Sequence, residues 1–171
     1  MSNIILASKT SPHMNAYEII IRQATMNDMA MIQQLFVETI QSSCKNDYSE
    51  EQLVAWISTV VNLDRWSMAL SEEYFLVAVD EGKVVGFGAL KDGNYLDFIY
   101  VDQTYQRHGL AERLLHALEN EALKQNSTSI TTDASKTAVP FFTKMDYQHV
   151  HENKRTISGM EIINYRMEKS F

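Results

Sequence analysis

The chain has 171 residues, 45% of them hydrophobic and 22% charged, with a formal net charge of −7; this is material for one domain with a proper core. The acidic excess argues against a nucleic-acid partner, because phosphate contacts need clustered Lys and Arg. No apolar run approaches membrane-spanning length, so no membrane partner is expected, and the single cysteine, Cys44, excludes an intramolecular disulfide and a multi-thiolate metal site and fits a reducing, cytoplasmic compartment.

Residues 1–16 read as an N-terminal extension in front of a domain spanning 17–171. Their Ile4-Ile5-Leu6 stretch is too short for a secretory signal and suits an edge strand. Ile19-Ile20-Ile21 reads as a first strand. Thr25 and Asp28 then supply a helix start, and Met29, Ile32, Leu35, Phe36, Thr39 and Ile40 recur at helical spacing. Residues 42–49 form a polar loop. Ser49-Glu50-Glu51-Gln52 opens a second helix carrying Leu53, Trp56, Ile57 and Val60, and 64–70 adds a further helical turn or two. Residues 74–79, 84–90 and 95–101 read as three strands joined by tight turns at 80–83 and 91–94, an antiparallel meander.

After the third of these strands comes Gln106-Arg107-His108-Gly109-Leu110-Ala111, then a helix with Leu110, Leu114, Leu115, Leu118, Ala122 and Leu123 on one stripe. Free amides at a helix start point outward and carry partial positive charge, so this strand, loop and helix can hold a phosphate or pyrophosphate without a lysine. Residues 129–132 read as a short strand that, having crossed over through a helix, should lie parallel to 95–101. A short helix over 136–144, with Pro140 near its first turn, and a closing hairpin over 147–154 and 160–167 complete the chain. No Gly-x-Gly-x-x-Gly or Gly-Lys-Ser/Thr run accompanies the loop, which argues against Rossmann and P-loop nucleotide folds.

This order resembles the GNAT superfamily of acetyl-coenzyme A-dependent N-acetyltransferases over nearly the whole chain, from about Ile19 to Lys169. The family signature, Gln/Arg-x-x-Gly-x-Gly/Ala after the fourth strand, is similar to Gln106 through Ala111. Arg22-Gln23-Ala24-Thr25 with Asp28 resembles the family's opening strand-to-helix turn. Phe98-Ile99-Tyr100-Val101 resembles the strand before the loop, and Ala138, Phe141-Phe142 and Asp146-Tyr147 resemble the last helix and strand. The resemblance implies an α/β fold: a central twisted mixed sheet flanked by helices, with a splayed parallel strand pair. It also implies acetyl-CoA as cofactor, its pyrophosphate cradled by the backbone of Arg107, His108, Gly109, Leu110, Ala111 and Glu112. Its pantetheine arm would pair with the strand edge at Ile99, Tyr100 and Val101. Ser135, where many relatives have Asn, would bond the same arm, and Phe142 would lie beside the cofactor. Gly109 lets the chain turn with no side chain in the way. Glu112 should point away from the phosphates.

The activity so implied is transfer of the acetyl group to a primary amine of a small-molecule or peptide acceptor by direct attack; sheet-to-sheet pairing into a homodimer is compatible with the family. Asp97, a carboxylate inside an apolar strand, is the candidate base, acting through water, with Tyr95 as companion. Strand alternation would put Tyr95, Asp97, Ile99 and Val101 on one face. The alternative role for Asp97 is a plain hydrogen bond to backbone or substrate ammonium. Many relatives carry at the position of Phe142 a Tyr that protonates the departing thiolate. Phe142 cannot, and Tyr147, Tyr165, His149, His151 or water remain as substitutes. That departure leaves a second reading, an acyl-CoA-binding sensor without turnover. Trp56, Trp66, Tyr48 and the 42–50 loop are candidates for shaping an acceptor pocket. Metal ligation is not expected: the nine methionines are scattered and read as packing.

Overall fold

The computed structural model describes residues 19–171, so the N-terminal extension and its suggested edge strand lie outside the described residues. Strand β1 (Ile20–Gln23) leads into α1 (Met29–Ser43), α2 (Glu50–Ile57) and α3 (Leu63–Glu72). The meander β2 (Tyr74–Asp80), β3 (Lys83–Lys91) and β4 (Tyr95–Val101) follows, then α4 (Leu110–Lys124), β5 (Ser129–Ser135), α5 (Val139–Lys144) and the hairpin β6 (Gln148–Ile157) and β7 (Met160–Ser170). The strands form one mixed sheet in the order β1-β2-β3-β4-β5-β7-β6.

Local chemistry fixes most of these boundaries. Asp28 accepts from the Thr25 amide at 2.8 Å and takes both guanidinium nitrogens of Arg22 at 2.8 Å, tying β1 to the start of α1. Ser49 and Gln52 cap α2 reciprocally: Ser49 Oγ accepts from the Gln52 amide at 3.2 Å and Gln52 Oε1 accepts from the Ser49 amide at 2.9 Å. All three hairpins turn on a left-handed residue followed by glycine: Glu81-Gly82, Asp92-Gly93 and Ser158-Gly159. Pro140 stands in the first turn of α5, where its missing amide costs nothing.

Apolar side chains fill both sheet faces. One core gathers Leu114, Leu115, Leu118 and Ala122 of α4 with Leu96, Ile130, Phe142, Tyr147 and Met167. The other gathers Ile32, Leu35, Phe36 and Ile40 of α1 with Trp66, Phe75 and Phe87. Gly86 and Gly88 leave room for α4 over β3: a Cβ at Gly88 would lie 2.8 Å from Leu118 Cδ1.

Two features position the site. First, β4 and β5 are parallel but paired only at Tyr95↔Thr131 and Leu96↔Thr132. Beyond that point they part, as the expected splayed pair requires. Second, β4 carries a bulge. Ala89 pairs with Phe98 and Leu90 with Leu96, leaving Asp97 as the extra residue. The bulge corrects the expected alternation. Ile99 and Val101 face the α4 core, while Phe98 and Tyr100 face the α1 core on the other side. Asp97 and Tyr95 line the same cavity as Phe98 and Tyr100, so they do not share a face with Ile99 and Val101.

Candidate functional site

The chain leaves β4 through a tightly held corner. Asp102 accepts from the Thr104 amide (2.9 Å) and hydroxyl (2.7 Å) and from Lys83 Nζ (3.1 Å). Gln106, the first residue of the sequence motif, turns back and donates to the Val101 carbonyl at 3.0 Å and to Ser43 Oγ at 2.9 Å. It therefore braces the loop against α1. Arg107 (φ 62°) and Gly109 (φ 80°) are left-handed, with His108 between them on the ordinary side. Alternation of this kind turns successive amides toward one concave spot. Gly109 directly precedes α4, and the first main-chain bond of that helix runs from the Arg113 amide to the Gly109 carbonyl, 3.0 Å. Among the described residues, no protein acceptor meets the amides of Arg107, His108, Gly109, Leu110, Ala111 or Glu112. A Cβ built on Gly109 would meet nothing within 4 Å, so the chain is uncrowded at that residue. Leu110 is buried and anchors the helix, Ala111 packs at the core edge, and the Glu112 carboxylate leans toward Lys144 at 3.8 Å.

The strand edge beside the loop is equally bare. The Asp102 amide donates to the Val85 carbonyl at 3.0 Å; by the alternation of an antiparallel ladder, the main-chain groups of Ile99 and Val101 then point away from β3, toward the gap left by β5. The Val101 carbonyl is taken by Gln106. The Ile99 amide and carbonyl have no protein partner among the described residues. This loop and edge fit a group that joins a pyrophosphate to an extended, amide-bearing arm, as coenzyme A does.

On the α1 side of the sheet lies a cavity of about 300 Å³. Tyr48, Trp56, Trp66 and Phe98 supply aromatic walls, and Arg65, Asp97, Asp133, Arg155 and Asn164 supply polar ones, so the suggested pocket residues do come together. Asp97 forms an ion pair with Arg65 Nη2. Arg65 Nη1 also reaches Glu73 Oε1 at 3.4 Å, and its guanidinium lies 4.8 Å from the centre of the Phe98 ring. Tyr95 donates to Asp133 Oδ2 at 3.1 Å. Burial, then the Asp133 charge, pushes the Tyr95 phenol well above its ordinary pKa. The Tyr95 hydroxyl proton is thus engaged with Asp133. Asp133 is itself gripped by Arg166 at 2.6 and 3.1 Å and by Asn153 at 2.9 Å.

The remaining expected residues sit elsewhere. Ser135 lines the cavity, but its Oγ accepts from the Ala138 amide at 3.1 Å and closes the turn into α5. Phe142, expected beside the cofactor, is 1% exposed and packs edge-on against Phe141 and Tyr147. Its ring is enclosed in the core together with Val139, Phe141 and Met145, which leaves little surface for a ligand. Tyr147 precedes β6 and is fully buried, its hydroxyl donating to Glu119 at 3.1 Å, so it does not reach the cavity as a proton donor. His149 and His151 are exposed on β6. Sequence reasoning missed Arg65, Glu73 and Asp133. The one available signal was Glu73 itself, a carboxylate abutting an apolar strand.

The sequence model of the family described as Acetyltransferase (GNAT) domain matches residues 44–169. An uncharacterized N-acetyltransferase of Escherichia coli (strain K12), YafP, is 29% identical over 147 residues, covering 86% of this chain and 93% of that protein. The GCN5-related N-acetyltransferase structure from Rhodopseudomonas palustris is 33% identical with a TM-score of 0.86, covering 90% of this chain and 96% of that one. The PaiA N-acetyltransferase of Thermoplasma acidophilum, solved in complex with coenzyme A, shares the fold at 21% identity and a TM-score of 0.69, covering 90% of this chain and 99% of its own. The pattern that matches, the split β4–β5 pair and the unpartnered amides before α4 agree, and the chain belongs to the GNAT family of acetyltransferases.

Proposed function

We propose that the protein transfers the acetyl group of acetyl-CoA to a primary amine, with the amine seated in the cavity beside Asp97. The observation that supports this most is the run of unpartnered amides from Arg107 to Glu112 next to a bare strand edge at Ile99. Bound there, coenzyme A would supply an acyl thioester. The loop amides would hold the diphosphate by hydrogen bonds and helix-end charge. The Ile99 main chain would align the arm as an added strand does. Asp97, re-aimed by the bulge, would take the proton that an ammonium must lose before it can attack. The aromatic walls would exclude water and position the amine. An enzyme acting on a small-molecule or peptide amine is the reading that best fits this geometry, and the single cysteine suits a cytoplasmic setting.

Phe142 favours a second reading, an acyl-CoA sensor without turnover. The ring stands where many relatives place a proton-donating hydroxyl, and here it is enclosed. Calorimetry with coenzyme A and thiol release from acetyl-CoA over an amine panel separate the cases. Micromolar binding with release is expected. Binding with no release for any amine would select the sensor, and no binding would remove both readings.

A further inference from the structure

Arg65 is one cation serving two carboxylates. It reaches from α3 to Asp97 on β4 and to Glu73, the residue between α3 and β2. The Glu73 side chain is 5% exposed. Its Oε2 is fully enclosed and has no hydrogen-bond donor among the described residues. A buried carboxylate oxygen with no donor is costly. One guanidinium holds the Glu73 and Asp97 carboxyls together, one at each terminal nitrogen, and two ionised carboxylates would repel there. One proton between them removes both penalties: Glu73 becomes the donor and Asp97 the acceptor.

We propose that Glu73 and Asp97 share one proton and act together as the base that deprotonates the acceptor amine. This rests on the acetyltransferase reading above and adds Glu73 as a positioning residue acting through Asp97. The charged groups facing Glu73 are Arg65 from α3, Asp97 from β4 and Lys91 at the end of β3. Burial, then the Asp97 charge, moves the Glu73 carboxyl well above the usual carboxylate range; Arg65 and Lys91 oppose this and do not cancel it.

The chemical gain is a matched base. A lone carboxylate titrates near ~4 and an alkylammonium near ~10, so the lone group takes the proton at a cost of about six pKa units. When the pair has lost its shared proton, two negative charges sit in one enclosed place, and regaining a proton relieves them. In the step, an N–H bond of the ammonium breaks and an O–H bond forms on Asp97. The electron pair stays on nitrogen, which becomes the nucleophile, and the proton settles between Asp97 and Glu73. It leaves to solvent through the cavity when product departs.

Glu73→Gln keeps a donor toward Asp97 and removes the titration. In the wild type, kcat/KM should rise with pH along a limb in the neutral range. In Glu73→Gln that limb should move at least about one unit toward acid, with a plateau about tenfold lower and coenzyme A affinity unchanged. A limb that stays in place would overturn the proposal. Infrared spectra of the ligand-free protein carrying carboxyl-labelled glutamate give a readout that needs no turnover. A protonated-carboxyl band at neutral pH, lost at alkaline pH and absent in Glu73→Gln, is expected, and its absence in the wild type would also overturn the shared proton. If the band is present but no amine is acetylated, the shared proton stands and the acetyltransferase reading falls.

Discussion

Single residues decide how charge is tolerated in this chain. Asp28 is 3% exposed and accepts from Arg22 and from the Thr25 amide. The Arg22 hydrogen bond, against the opposing effect of burial, holds its pKa at about 2. A carboxyl depressed in the folded state adds stability above its unfolded value and loses it as pH falls through the folded one. The shift would be worth about 2 kcal/mol in full, but Arg22 is 43% exposed and solvent screens the pair, so about 1 kcal/mol is expected. Asp28→Asn should therefore cost about that much in urea unfolding near pH 7, and the difference should fade between pH 4 and pH 2. An equal cost at both ends of that range would show that the loss is packing and not charge. Asp97 was visible in sequence as a lone acid in an apolar strand. Its partners were not: Arg65 lies 32 positions away, and only the packing of α3 against the sheet brings it close. No local pattern encodes such a pair.

At the scale of elements, β3 and α4 set the height of the 106–111 loop. Gly88 lets Leu118 sit on the strand, and a Cβ there would fall 2.8 Å from Leu118 Cδ1 and 3.1 Å from the Phe98 carbonyl. Gly88→Val must push α4 outward or bend β4, at about 1–3 kcal/mol. Because α4 begins at Gly109, its amides move with it. The expected result is a lower melting temperature together with weaker coenzyme A binding in calorimetry. Retained affinity at reduced stability would show that the loop is positioned by Asp102 and Gln106 alone. Elements of this kind were legible wherever the signal was local. Ser49 with Gln52, the three left-handed-then-glycine turns and the α4 stripe each read directly from neighbouring residues, except that Leu123, expected on the stripe, is exposed at its margin. The bulge at Asp97 was not, because one inserted residue among Phe98, Ile99 and Tyr100 leaves an apolar run with no phase to read. Phe142 misled for a related reason: α5 shows an aromatic at the family's position, and only the fold reveals that the ring closes the core.

For the molecule as a whole, the gap between β4 and β5 depends on two rigid walls and one hinge point. β5 pairs with β7 at seven positions, from Ser129↔Ser170 to Ser135↔Asn164, and β4 is paired to β3 along its length apart from the bulge. The walls meet only at Tyr95↔Thr131 and Leu96↔Thr132. There the buried Thr132 hydroxyl donates to the Leu96 carbonyl at 2.9 Å, one residue before Asp97. Thr132→Val keeps the shape and removes the donor, leaving a buried carbonyl one bond short, at about 1 kcal/mol. If that bond sets where the strands part, coenzyme A affinity should fall severalfold and amide exchange should quicken at Thr131 and Thr132. Should stability drop while affinity and exchange hold, the opening is fixed by the β3 and β7 walls, and the hydroxyl only satisfies the carbonyl it touches.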